Sequence, residues 1–339
     1  MARCLIAAAL FGASAPAASV LAGDMPALVL AGLLYLGAAL AVAPSVLRHR
    51  PHRGALAAGW RPLAVAVVFG GAIGPVLLVA GLARTSAATA SLLLNFELVA
   101  TVVLAATVFR EHLGTRLLAA TALVGIAGVI LVWQPGVAFD TGGAFVIGAC
   151  ACWGLDNAVT SKIDQLAPEQ ITLTKGVVAG GANLILGLVV AASPHLRAVE
   201  VLAALGIGAL GYGASITLWV TGARDLGAAR GQVVFAAAPF IGAAVAWVAL
   251  GDSVTVSQLV AVPLAIGGVG LSLRSGHEHR HAHEPMVHEH DHRHDDGHHD
   301  HTHRPPVAGR HSHRHEHEVL VHAHPHVPDL HHRHAHHAD

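Results

Sequence analysis

Apolar residues fill the first 274 positions in runs of bilayer length, separated by short breaks rich in Gly, Pro or charge. Ten helical spans are predicted. Five lie in the first half, at Ala2–Ala22, Pro26–Leu47, Pro62–Ala83, Ala87–Phe109 and Leu117–Trp133. Five follow, at Gly143–Thr160, Leu173–Ala192, Val201–Gly222, Gly231–Leu250 and Gln258–Leu273, the fifth and tenth runs being the shortest. Beyond Gly276, His alternates with charged and small residues, leaving no apolar face to pack, and this predicts disorder. The expected fold class is therefore an all-α polytopic membrane protein of ten transmembrane helices with a disordered His-rich C-terminal tail.

The pattern repeats. Phe11–Gly12 returns as Trp153–Gly154, GLAR ending at Arg84 as TGAR ending at Arg224, and VGIAG from Val124 as IGGVG from Ile266. The break around Glu111 returns around Asp252, and all these offsets fall between 140 and 142. Five spans per copy is an odd number, so the copies must face opposite ways, as in the inverted repeats of secondary transporters. The expected units are residues 1–134, 143–274 and the tail 275–339. With a cytoplasmic N-terminus, twelve Lys/Arg fall in inside segments and two (Arg84 and Arg197) outside, so both termini are expected in the cytoplasm of an inner-membrane protein. Small residues recur at helix-contact spacing (Gly70 and Gly74, Gly176 and Gly180, Gly242 and Ala246), and Pro16, Pro75, Pro239 and Pro263 fall inside spans.

Composition reinforces this picture. Of 339 residues 54% are hydrophobic and 12% charged, too little polar surface for a soluble domain of this size. A net charge of −1 with no basic patch gives no sign of a nucleic-acid partner. Three cysteines (Cys4, Cys150, Cys152) in apolar segments read as packing residues and not as a disulfide framework. Arg3 followed by an apolar run begins like a signal peptide but continues into further spans, and is read as a retained first helix.

Against this background the few polar residues inside spans stand out. A charge at the bilayer centre costs about 2.5–3.5 kcal/mol on insertion scales, so Glu97 and Asp156 are the foremost candidates for function. Glu97, with Asn95 nearby, reads either as an amine-binding or proton-coupling group or as a neutral acid hydrogen-bonded to a neighbouring helix. Asp156 admits the same two readings. Asn157 offers both a donor and an acceptor to a substrate. Trp153 reads as a cavity wall, an interface anchor or plain packing. Lys175 reads as a partner for Asp156, an attractor of anions or a topology anchor. Lys162 reads as such an anchor, Asn183 and Gln232 as interhelical glue, and Glu111 and Asp252 as loop or capping residues. No nucleophile–base constellation occurs in the spans, so no enzyme activity is expected.

ATASLLLNFELVATVVLAATVFREH in the fourth span and GAARGQVVFAAAPFIGAAVAWVALGD in the ninth resemble the helices of the EamA-type drug/metabolite transporter superfamily. The likeness covers residues 1 to about 274. Glu97 matches the acid of the family pattern, while Leu98 stands where proline is usual. In the second copy the proline is present as Pro239 and the acid is replaced by Ala238. The resemblance implies ten helices around a central cavity open to one side at a time, and a small-molecule cargo, often moved outward.

The tail holds 24 of the 28 histidines. Alternating imidazoles suit Zn, Ni, Co or Cu, with candidate ligands His277, His279, His281, His283, His288, His290, His292, His294, His298, His299, His301, His303, His311, His313, His315 and His317. Its 6 basic and 11 acidic residues give −5 with neutral imidazoles, and protonating all 24 takes it to +19, so acidification would drive it towards anionic lipid. Three functions follow: a carrier for a small organic metabolite, a transition-metal exporter whose tail collects cargo, and a membrane-anchored metal store or sensor. The spans contain no histidine (His49, His52, His112 and His195 lie in breaks), which favours the first. Expected partners are a small molecule, the lipid bilayer and metal ions. No cofactor is required, and a homodimer is left open.

Overall fold

The computed structural model describes residues 1–48, 59–107, 114–132, 140–160, 163, 166–192, 196–226 and 234–273, and four tail segments. Eight helices are long and apolar enough to cross a membrane, so the protein is a multi-pass membrane protein. They cover Ala2–Ala22, Ala27–Arg48, Trp60–Leu82, Ala87–Leu104, Thr115–Val132, Thr141–Thr160, Pro168–Val190 and Ala198–Gly222. Two shorter apolar helices, Ala238–Ala249 and Val256–Ser272, take the places of the ninth and tenth runs. The ten expected spans are thus eight of crossing length and two shorter helices among the described residues.

The fourth span is broken. Helix Ala87–Leu93, capped by the Ser86 hydroxyl on the Thr89 N–H, stops at a turn over Leu94–Asn95 and resumes as helix Phe96–Thr107. Across the turn the amides of Asn95, Glu97 and Leu98 reach back only three residues, to Leu92, Leu94 and Asn95. The ninth span repeats this 142 residues later, with a turn at Ala236–Ala237 and Pro239 in the first turn of the helix that follows. Proline has no N–H to continue the ladder, which explains the second break. Three spans also contain a wider, π-helical turn: Ala66–Ile73 in the third, Gly176–Gly180 in the seventh and Ala209–Ala214 in the eighth. Those in the third and eighth correspond by the repeat, Gly70 matching Gly211.

Packing obeys the same correspondence. The first span lies against the eighth and ninth, the sixth against the third and fourth, and the fifth runs along the tenth. Exchanging the two halves maps the first two sets of contacts onto each other and the third onto itself, as a twofold relation between repeats requires. Glycines permit the closest approaches. A Cβ on Gly12 would collide with the Ala238 carbonyl, and one on its counterpart Gly154 would lie 3.0 Å from the Thr101 nitrogen.

The tail contributes four strands, His277–His283 antiparallel to Leu320–His326 and Met286–His292 antiparallel to His311–His317.

Gly12→Ala is expected to lower the melting temperature in detergent, since overpacking a close contact costs about 1–3 kcal/mol. Gly125→Ala, where an added Cβ meets nothing within 4 Å, is expected to leave it unchanged. Equal melting curves would contradict the assigned contact.

Candidate functional site

Asp156 and Asn157 are consecutive on the sixth span, so their side chains leave the helix about 100° apart and reach different neighbours. Asp156 is 5% exposed. Its Oδ2 accepts from Lys175 Nζ of the seventh span at 2.5 Å, and its Oδ1 accepts from Thr160 Oγ1 one turn on at 3.1 Å. Asn157 turns to the fourth span, where its Nδ2 donates to Glu97 Oε1 at 2.5 Å. Glu97 stands in the first turn of helix Phe96–Thr107, just after the break, where the helix dipole favours a carboxylate.

The third span supplies the floor of this cluster. In this π-helical turn each carbonyl is met from five residues on, and for Gly70 that residue is Pro75, which has no N–H, so its oxygen needs other donors. Gly70 O accepts from Tyr35 Oη of the second span at 2.6 Å and from Trp153 Nε1 of the sixth at 3.1 Å. Ala72 O accepts from Asn183 Nδ2 of the seventh at 3.0 Å. Gly70 also makes room for the ion pair, because a Cβ there would collide with the Asp156 carboxylate. A Cβ on Gly71 would lie 3.4 Å from that of Lys175.

The break in the fourth span frees a carbonyl too. Leu93 O, which a continuous helix would offer to Glu97 N–H, lies 3.5 Å from the Cys150 thiol, while Glu97 N–H bonds Leu94 O instead. Cys150 is buried in the main core, in keeping with a packing residue.

Five of the six expected site residues, Glu97, Asp156, Asn157, Trp153 and Lys175, therefore meet around one point. Asn95 does not join them. Its Nδ2 bonds back to Leu92 O at 2.9 Å, and it lines a small cavity with Phe96, Val124, Gly128, Ala261 and Ala265. Asn95 sits in the turn that breaks the span, while Glu97 belongs to the helix that resumes after it. Lys175 is an ion-pair partner and not a bare topology anchor. Asp252, read as a capping residue, accepts from Ala88 N at 2.9 Å and so caps the fourth span. Glu111, Lys162 and Gln232 lie outside the described residues. Among those described, no group of three or more His, Cys, Asp or Glu is placed to hold a metal ion. The tail ligands from His277 to His317 fall where side chains are not described.

Two groups escape a reading of the spans alone. Tyr35, one of only two tyrosines, gives no sequence signal of its partner Gly70. Gln258 is fully buried, donating to Thr89 Oγ1 at 2.9 Å and accepting from Trp247 Nε1 at 3.2 Å. It also closes a capping box with Thr255, and that T-x-x-Q signature was readable.

Twofold-related halves with matched helix breaks and a buried ion pair define a two-repeat polytopic membrane protein. The chain matches the EamA-like transporter family twice, over residues 2–134 and 140–274, and belongs to that family. It is 27% identical over 205 residues to an uncharacterized transporter of Methanothermobacter thermautotrophicus, a match covering 58% of this chain and 60% of that relative. A crystal structure at 19% identity superposes with a TM-score of 0.56, covering 80% of this chain and 96% of the other, and shows the shared fold.

Removing one member of a buried ion pair costs about 3–5 kcal/mol, because the other is left uncompensated. Asp156→Asn and Lys175→Met are each expected to destabilise the purified protein, and the double variant to recover part of the loss. Additive losses in thermal unfolding would show that the two side chains do not interact.

Proposed function

We propose that the chain is a secondary carrier, and not an enzyme, exporting a small organic metabolite from the cytoplasm by alternating access between its two repeats. Its setting is the inner membrane, with both termini cytoplasmic, as the distribution of Lys and Arg favours. The observation that carries this reading is the cluster of Glu97, Asn157, Asp156 and Lys175 beside the broken fourth span. Discontinuous helices in matched positions of two repeats are where carriers bind cargo, since irregular backbone inside a membrane must line a cavity or be buried.

The chemistry follows from these groups. Asp156 is balanced by Lys175, whereas Glu97 is held by the neutral amide of Asn157. Glu97 is thus the group that takes a proton or a cargo donor. Asn157, turned by its bond to Glu97, offers its carbonyl oxygen to a donor on the cargo. Opening of the Asp156–Lys175 pair exposes one acceptor and one cation, and Trp153 forms part of the wall. A divalent metal fits this cluster poorly, because the Lys175 ammonium already sits on Asp156 and repels a second cation. The His-rich tail is a separate module that binds Zn, Ni, Co or Cu and adjusts a carrier that works without it.

An efflux screen of metabolites and metals from cells carrying the intact protein or Asp156→Asn tests this reading. Export of an organic solute that falls at least tenfold in the variant is expected, and export of a metal alone would contradict it. Glu97→Gln is expected to insert normally and to flatten the pH dependence of that export; an unchanged profile removes Glu97 as the coupling group. Deletion of 276–339 is expected to keep basal transport and lose most bound metal, and loss of all transport would favour the metal-export reading.

A further inference from the structure

The two π-helical turns related by the repeat resolve the same problem in different ways. In the eighth span the Gly211 carbonyl accepts locally, from the hydroxyl of Ser215 one turn on in the same helix. The residue matching Ser215 in the third span is Gly74, which has no side chain to offer. Gly70 O instead takes two donors from two other helices, Tyr35 Oη and Trp153 Nε1. Gly74 also admits the indole, since a Cβ there would lie 3.1 Å from Trp153 Nε1. Pro75 also withholds the N–H that the π-helical ladder would return to Gly70 O, whereas Ile216 holds the matching place in the eighth span. Among the described residues the external donors reach the third span, against which the ion pair packs, and not the eighth. The residues matching Asp156 and Lys175 in the first repeat are Ser14 and Leu34.

The geometry ties the two features together. The Gly70 backbone abuts Asp156 Oδ2, the same oxygen that accepts from Lys175 Nζ, and Gly71 lies against the stem of Lys175. A shift of this turn moves the surface on which both charges rest. Buried ion pairs tolerate such shifts badly, because their attraction offsets desolvation only in good geometry.

We propose that Tyr35 and Trp153 are positioning residues that hold the Asp156–Lys175 pair closed by fixing the Gly70 carbonyl, with Gly74 as the vacancy that lets them do so. Neither touches the pair through its own polar atom in this structure; both act through the third span. The inference rests on the reading that this pair belongs to the carrier's site. It goes beyond that reading by assigning the pair's restraint to the π turn.

The protein's two lysines, Lys162 and Lys175, make the pair measurable without a known cargo. The full chain in lipid nanodiscs is treated with limiting acetylating reagent at fixed pH, and acetylation of Lys175 relative to Lys162 is read by mass spectrometry. Asp156→Asn defines the value for an open pair. Tyr35→Phe, which keeps the ring and removes one donor, is expected to raise the Lys175 ratio about fivefold, the effect of one lost hydrogen bond. Gly74→Ser, which copies the other half, is expected to do the same by excluding the indole. Variants that melt earlier yet keep the parental ratio would overturn the proposal and leave Tyr35 and Trp153 as packing residues. Failure of this test leaves the carrier reading standing, since that reading depends on export by Asp156→Asn and not on the reactivity of Lys175.

Discussion

A carboxylate buried among apolar helices persists only if something nearby compensates it. In this protein Lys175 does so for Asp156, and the surrounding architecture can be understood as what that contact requires. The sixth and seventh spans must approach closely enough for a direct Nζ–Oδ2 contact. The third span must lie under both, which only backbone without side chains permits, hence Gly70 and Gly71. The turn carrying them is π-helical, and its freed carbonyls recruit Tyr35, Trp153 and Asn183 from three other spans. One charge pair thus ties together four helices.

The two halves share a scaffold and divide the chemistry. Matched helix breaks, matched π turns and matched glycine contacts at Gly12 and Gly154 show the common frame. Onto that frame the second, fourth, sixth and seventh spans bring Tyr35, Glu97, Trp153, Asp156, Asn157 and Lys175. The counterparts of Glu97 and Trp153 are Ala238 and Phe11, and that of Gly71 is Tyr212, whose ring lies 6.0 Å from Tyr35. Each charged residue of the cluster has an uncharged counterpart in the other repeat: Ala238 for Glu97, Ser14 for Asp156 and Leu34 for Lys175.

Much of the fold was legible because the bilayer imposes so simple a rule. Long apolar runs gave the spans, and a constant offset gave the repeat. The ninth helix came out shorter than its run because the break before Pro239 is a backbone event inside an unbroken apolar stretch. The break at Leu94–Asn95 was harder still, with no proline to mark it. In the site, Glu97 and Asp156 declared themselves through the cost of burying charge. Asn95 lies in the turn, where its side chain bonds back to Leu92 O, and that break left no mark in the sequence. The π turns left only their glycines as a trace: Gly70, Gly176 and Gly180 were read as contact residues, which they are, without the widened turn they occupy. Tyr35 left none, because its partner is a main-chain oxygen: Pro75 marks a freed carbonyl about one turn back, but not the side chain that meets it.

The contact between Lys175 and Asp156 is the point on which all of this turns, and two lysines make it accessible to direct distance measurement. Solid-state NMR on the full chain in bilayers, with 15N at lysine Nζ and 13C at aspartate Cγ, reads the dipolar coupling between the two groups. Strong dephasing of the Lys175 signal, abolished by Asp156→Asn, is the predicted result. A Lys175 signal that no aspartate dephases would mean that the charges are apart in the membrane, and the account built on their contact would be wrong.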